Sequence, residues 1–296
     1  MKTPTLADVL DAFETLYPAH LQEDWDASGL VIGRRDAEVK KILFAVDAIG
    51  AVAEEAVETG ADLIITHHPL LLRGASFLPD TDYKGNIVHT LIENKCALLA
   101  AHTNTDSAVD GVNEALAQAL GLTDVKVLAD EKTQTLNGAE HTVGIGRVGT
   151  LPQTTTLKEL ADALAQILPA TAGGLRVAGS AEAPIQRVAL CGGAGDSLFG
   201  AVESSDADVY ITADLRHHPA SELREKSRLA HQKTINLIDC SHFASEWVWL
   251  ATGARRLTEE LTARGFAIKT QVSTLNSDPW DFRISTGEVE GSASTL

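Results

Sequence analysis

Two apolar runs end in a histidine pair followed by proline: ADLIITHHP at residues 61–69 and ADVYITADLRHHP at residues 207–219. Successive side chains of a strand face opposite ways, so His67 and His68 share a site only if the strand stops at Thr66 and the chain turns. Pro69 favours that stop, because it cannot donate to a ladder. Two further pairs carry the same chemistry. His102 and Asp106 follow the apolar run CALLAA, and His242 and Glu246 open a long apolar segment. Four residues apart on a helix, His242 and Glu246 lie on one face. Phe243, Trp247 and Val248 beside them predict burial, and buried charges need partners or metals. His67, His68, His102, Asp106, His242 and Glu246 together offer four imidazoles and two carboxylates. A structural zinc takes four ligands and a catalytic one usually three, so this donor set suits two divalent ions sharing a carboxylate and water. No thiolate belongs to the set. Imidazole and carboxylate admit Zn, Fe, Mn, Co or Ni alike.

The elements that must position these groups can be read from periodicity. Leu6, Val9, Leu10, Phe13 and Leu16 predict an amphipathic first helix, followed by a loop EDWDASGLVIG. Strands KKILFAVDA, DLIIT and CALLAA then alternate with helices AVAEEAVETG, NIVHTLIENK and SAVDGVNEALAQALG. The second half repeats the plan, with strands RVALCGG, DVYIT and KTINLIDCSH. Its helices are DSLFGAVESS, PASELREKSR and a long one from about Phe243 to Arg264. Such alternation predicts α/β architecture with largely parallel sheets. Laid side by side, the halves match His102 with His242 and Asp106 with Glu246. The expected organisation is a first lobe over 1–128, a strand–helix–strand middle segment over 129–185, a second lobe over 186–277 and a tail over 278–296, mobile beyond Gly287. The two related lobes face a shared dinuclear metal site. Gly144, Gly146 and Gly149 sit inside a strand pattern and do not form a dinucleotide fingerprint. CGGAGDS at 191–197 lacks the Lys-Ser/Thr ending of a P-loop and reads as a tight turn needing glycine.

Charge narrows the partners. The net charge of −17, with no Lys/Arg-rich run, argues against nucleic acid or an anionic membrane as the main partner. Arg73, Lys84, Arg216 and Lys233 are scattered. Cys96, Cys191 and Cys240 are odd in number and far apart, as expected of reduced thiols in a cytoplasmic protein. Residues 1–16 are amphipathic, so no secretory leader is expected there, and no run is long enough to span a bilayer.

In this order, THHPLLL, AHTNTD, GRVGTL, CGGAG and SHFASEW resemble the NIF-three-like family, the GTP cyclohydrolase I type 2 homologs. The resemblance runs from DWDASGL to DPW, nearly the whole chain. It implies metal ligands at His67, His68, Asp106, His242 and Glu246, with two divalent cations per subunit and His102 beside them. Asp214 and His218 match a second-lobe motif, which suggests roles near the metals or the substrate for His102, Asp214 and His218. The family fold implies a homohexameric ring. Two positions depart from the family pattern: Ala27 stands where Asn is usual, and Ala213 where Gly is usual. The implied activity is metal-dependent hydrolysis of a small molecule, with the purine ring of GTP as the family label's substrate. The alternative is a metal-loaded assembly or regulatory protein without catalysis.

Overall fold

A computed structural model describes residues 1–229 and 234–285. Lys233 and the end of the tail, including Gly287, lie outside the described residues. Thr5 and Asp8 form a capping box that starts α1 (Leu6–Leu16), whose buried face holds Leu6, Val9, Phe13 and Leu16. Then follow β1 (Gly29–Ile32), β2 (Lys41–Ala45) and α2 (Gly50–Thr59), which stops on left-handed Gly60 at φ 66°. The next elements are β3 (Leu63–Thr66), α3 (Tyr83–Glu93), β4 (Ala97–Ala100), α4 (Thr103–Ser107) and α5 (Val112–Ala119). A long hairpin, β5 (Thr123–Leu136) and β6 (Ala139–Thr156), leads to α6 (Leu157–Ile167) and β7 (Arg176–Ala178). The chain continues through β8 (Pro184–Ala194), α7 (Phe199–Ser204), β9 (Val209–Ala213), α8 (His217–Leu229) and β10 (Asn236–Cys240). It finishes with α9 (His242–Ala263) and β11 (Lys269–Val272).

These elements form two compact units that interleave along the chain. One comprises Met1–Val112, Lys132–Val143 and Trp249–Ser277; the other comprises Asn113–Glu131, Gly144–Val248 and the chain from Asp278. Helix α9 therefore contributes to both.

The first sheet has the order β1-β4-β3-β2-β11. β2, β3, β4 and β11 run parallel, and only β1 is antiparallel to its neighbour β4. Ala45 pairs with Thr66 and Thr66 with Ala100, so three strands end level at one edge. Whatever follows them emerges together, at the carboxyl edge where open α/β sheets bind ligands. On one face Leu43, Ile64 and Leu98 pack against Val52, Ala56, Ile87 and Leu91 of α2 and α3. Elsewhere in this unit Trp249, wholly buried, meets Phe44 and Tyr17 edge-on, with ring centroids 6.3 and 5.7 Å away.

The second sheet has the order β5-β6-β8-β9-β10-β7. Only β8, β9 and β10 are mutually parallel; β6 and β7 flank them antiparallel. This sheet is thus more mixed than the strand–helix alternation predicts, because β7 and the hairpin come from the middle segment. Cys240 and Ala194 both pair with Ala213, so this parallel core also ends level. Ala189, Tyr210 and Leu237 pack beneath Phe199, Val202 and Leu223.

Three local readings need correction. The loop expected over EDWDASGLVIG contains β1. Beyond the expected middle strand, the chain forms the full β5–β6 hairpin. Its turn residues Asn137 and Gly138 have φ 52° and 78°, the Asn-Gly signature of a tight hairpin. The helix expected from Ser107 begins only at Val112. Asp110 is left-handed at φ 54°, and a side chain at Gly111 would collide with the carbonyl of Thr105.

Trp249→Ala would leave a large cavity against β2, α1 and His67. The variant should lose about 3–5 kcal/mol of stability, read as a lower urea midpoint at unchanged slope.

Candidate metal centre

In the first unit, β3 ends at Thr66, whose hydroxyl donates to the carbonyl of His68 at 2.9 Å. The backbone stays tied to the β2 side, with His67 N donating to Ala45 O and His68 N to Val46 O. This turn brings both rings to one place, centroids 5.0 Å apart. His102, just beyond β4, completes a triangle, with centroids 5.2 Å from His67 and 5.6 Å from His68. One ring nitrogen of each lies within 4.8 Å of those of the other two.

The orientation of each ring is fixed from behind. His67, fully buried, has Nδ1 2.8 Å from the carbonyl of Ala101. A carbonyl only accepts, so Nδ1 carries a proton. His67 Nε2 lies 3.7 Å from Asp106 Oδ1. His68 Nδ1 sits 2.7 Å from Asp47 Oδ1, and Ser277 donates to the other oxygen of Asp47. His102 Nδ1 sits 2.7 Å from Asp26 Oδ1. Burial alone would raise the pKa of Asp26, but hydrogen bonds from His102 and Thr103 outweigh it and hold the carboxyl well below its usual range. Asp26 also accepts from Ser28 Oγ at 2.9 Å and from the backbone of Ala27 at 2.6 Å. A histidine whose Nδ1 is tied to a carboxylate or carbonyl is the usual preparation of an imidazole ligand.

The second unit offers a smaller cluster. Ser241 caps α9, accepting from Ala244 N at 3.2 Å, and His242 is the first helical residue. His242 Nδ1 is 2.7 Å from Asp214 Oδ2, and Nε2 is 2.9 Å from Glu246 Oε1, one turn along and buried. Burial would lower the pKa of His242, yet Glu246 and Asp214 together push it up to about 11. The hydrogen bond from His242 in turn lowers Asp214. One imidazole between two carboxylates demands positive charge, which a proton supplies and a divalent ion could supply.

Gly193 explains part of the CGGAG motif. Its φ is 69°, and a Cβ there would stand 2.5 Å from Glu246 Oε1 and 3.1 Å from His242 Nε2. Its N–H donates to Ser245 Oγ, which donates to the carbonyl of His242. The glycine makes room for His242 and Glu246. Asp214, at φ 55°, takes the left-handed conformation just beyond Ala213.

The clusters contain His67, His68, His102 and Asp106 in the first unit, and Asp214, His242 and Glu246 in the second. His217 and His218 differ: both lie exposed on the first turn of α8, with their rings edge-on at 5.2 Å. Asp26 and Asp47 were missed as site residues. The signal for Asp47 was its place directly after a strand, and for Asp26 its place in the DWDASGL motif.

Comparison with known proteins agrees. The Duf34/NIF3 family, described as NGG1p interacting factor 3, matches residues 4–279. The chain belongs to the Duf34/NIF3 family. A Streptomyces coelicolor protein called GTP cyclohydrolase 1 type 2 homolog is 46% identical over 277 residues, covering 94% of each chain. A Clostridium perfringens protein of the same name is 33% identical, covering 94% of this chain and 99% of its own. The solved structure of a Bacillus cereus protein related to NIF3 aligns with a TM-score of 0.83 at 25% identity. It covers 96% of this chain and 100% of its own. Among the described residues of this Duf34/NIF3 chain, no helix is long and apolar enough to cross a membrane.

Gly193→Ala should displace the Glu246 carboxylate while leaving the helix content unchanged. Competition with a chelating dye should then show metal affinity roughly tenfold weaker or worse, the scale of losing a residue that orients a ligand. Unchanged affinity would show that Glu246 is not held in place by this close approach.

Proposed function

We propose that this Duf34/NIF3 protein is a metal-dependent hydrolase of a small molecule. In this reading His67, His68 and Asp106 act with His242 and Glu246 as ligands of one dinuclear centre. The observation that carries it is the common treatment of four imidazoles. His67, His68, His102 and His242 each have Nδ1 held by an acceptor, which orients Nε2 of the first three for a cation, while His242 Nε2 meets Glu246 Oε1. The donor set also fits by type, since imidazole and carboxylate suit divalent ions. Divalent ions held there would supply Lewis acidity, acidifying water and polarising a carbonyl or phosphoryl oxygen.

The chain's own residues divide the remaining work. Asp26, Asp47 and Asp214 hold the rings in place and keep their tautomers. Glu246 carries negative charge into a nearly dry position, where it can neutralise two cations as a bridge. His102 is placed to bind as a further ligand or to hold a proton beside the substrate. The relatives' name makes purine nucleotides the first substrates to assay.

Elemental analysis should give two ions per chain in the wild type, and fewer in His68→Ala and Asp106→Ala than in His217→Ala. Full occupancy in both site variants would overturn the ligand assignment. Glu246→Gln keeps shape but loses charge, so its first ion should remain and the second should be lost. Two fully occupied anomalous peaks at wild-type spacing would exclude the bridge. Turnover of a nucleotide panel should appear with metal and vanish on chelation.

The family description, an interacting factor, favours a second reading in which the metal-loaded protein serves assembly without catalysis. Absence of turnover across substrate classes at full metal occupancy would select it. Under either reading we infer a six-chain ring. Light scattering should give six times the chain mass, and a monomer at micromolar concentration would reject the ring.

A further inference from the structure

The loop over residues 22–28 leaves an indole in the open beside the histidine triad. Trp25 is 61% exposed, yet its ring stands edge-on to His102, with centroids 5.8 Å apart and planes at 80°. Exposure of so large an apolar group costs roughly 25 cal/mol per Å² of surface that burial would have removed from water. A loose loop would let the ring fold down, but this loop is tied on both sides. Lys132 Nζ donates to Leu21 O at 2.9 Å and to Glu23 Oε1 at 2.7 Å. Glu23 N donates to Thr103 Oγ1 at 2.9 Å, and Ser28 N to Gln22 Oε1 at 3.2 Å. Asp26, next in sequence, is the carboxylate that holds His102 and Thr103. The indole is therefore presented at a fixed place, with its ordering cost already met by the fold.

We propose that Trp25 is a stacking platform beside the triad, and that the ligand it selects is an uncharged planar nitrogen heterocycle: a nucleobase or nucleoside. This rests on the metal-centre reading only in placing the ligand's polar atoms towards His67, His68 and His102. Two observations define the class. A rigid, exposed indole offers a π-face to any flat ring and nothing specific to an aliphatic chain. The loop itself carries Glu23, Asp24 and Asp26, and Lys132, the basic residue that reaches it, is paired with Glu23, in a chain of net charge −17. With Lys132 paired to Glu23, the loop offers a triphosphate no net positive charge, so recognition falls on the ring and not on the phosphates.

The experiment is calorimetric titration of metal-loaded protein, with metal content measured on every sample, using guanosine, GTP and ribose as probes. Guanosine should bind saturably and more tightly than GTP, and ribose should give no heat. Trp25→Ala should weaken guanosine about tenfold, the effect of losing one base–aromatic stack. Trp25→Phe should stay within about threefold of wild type, because a phenyl ring still stacks. Both variants should keep wild-type metal content. Equal guanosine affinity in Trp25→Ala, or no guanosine binding to the wild type, overturns the platform. Tighter binding of GTP than of guanosine overturns the preference for an uncharged ring. Trp25-dependent guanosine binding by a metal-poor His68→Ala protein would uphold the platform while removing the metal reading.

Discussion

Everything at the two clusters depends on holding imidazole rings from behind. A free histidine exchanges tautomers and swings about two torsions, and a ligand that does either binds metal weakly. Here each Nδ1 is fixed by an acceptor that comes from a different part of the chain: Ala101 for His67, Asp47 for His68, Asp26 for His102 and Asp214 for His242. In the first unit this requires β2, β3 and β4 to end level. Slipping one strand by a residue would turn every side chain on it to the other face. The hydrophobic alternation that buries Leu43, Ile64 and Leu98 on a shared face therefore also sets where the histidines emerge. Core packing and site geometry are one constraint.

Charge burial is the second demand. Glu246 and Asp26 are carboxylates removed from most of the solvent in a chain already strongly negative. Each is tolerated because a histidine and further donors answer it, and breaking one partner would strand the other. Trp249 ties this electrostatic layer to the core, since its ring reaches both Phe44 and His67, the latter with centroids 6.2 Å apart. Helix α9 itself begins two turns earlier, at His242.

The internal repeat was used unequally. After β3 the histidine pair follows Thr66 at once and turns back to the sheet edge. In the second half four residues, Ala213 to Arg216, come between Thr212 of β9 and His217. They carry the pair onto the first turn of α8, where both rings are exposed. Asp214 occupies the vacated place beyond the strand and anchors His242, much as Asp47 beyond β2 anchors His68. The turn beyond β9 thus supplies an orienting carboxylate where the turn beyond β3 supplies two imidazoles.

The sequence by itself determined the chemistry and the class of fold. The order of strands and helices was legible because apolar runs with periods of 2 and 3.6 recur with glycine stops such as Gly60. The donor types were legible because His67, His68, His102, Asp106, His242 and Glu246 all sit just past apolar strands. Local pattern could not show which residues hold those donors. Asp26 and Asp47 meet His102 and His68 across 76 and 21 residues, and no periodicity marks a hydrogen bond between loops. The same limit hid β1, whose partner β4 lies far along the chain, and the reason for Gly193, whose missing side chain is explained only by the carboxylate of Glu246. Burial and period are properties of a segment, whereas register, close approach and second partners exist only once segments meet. For that reason tertiary structure alone decided that His218, like His217, faces water.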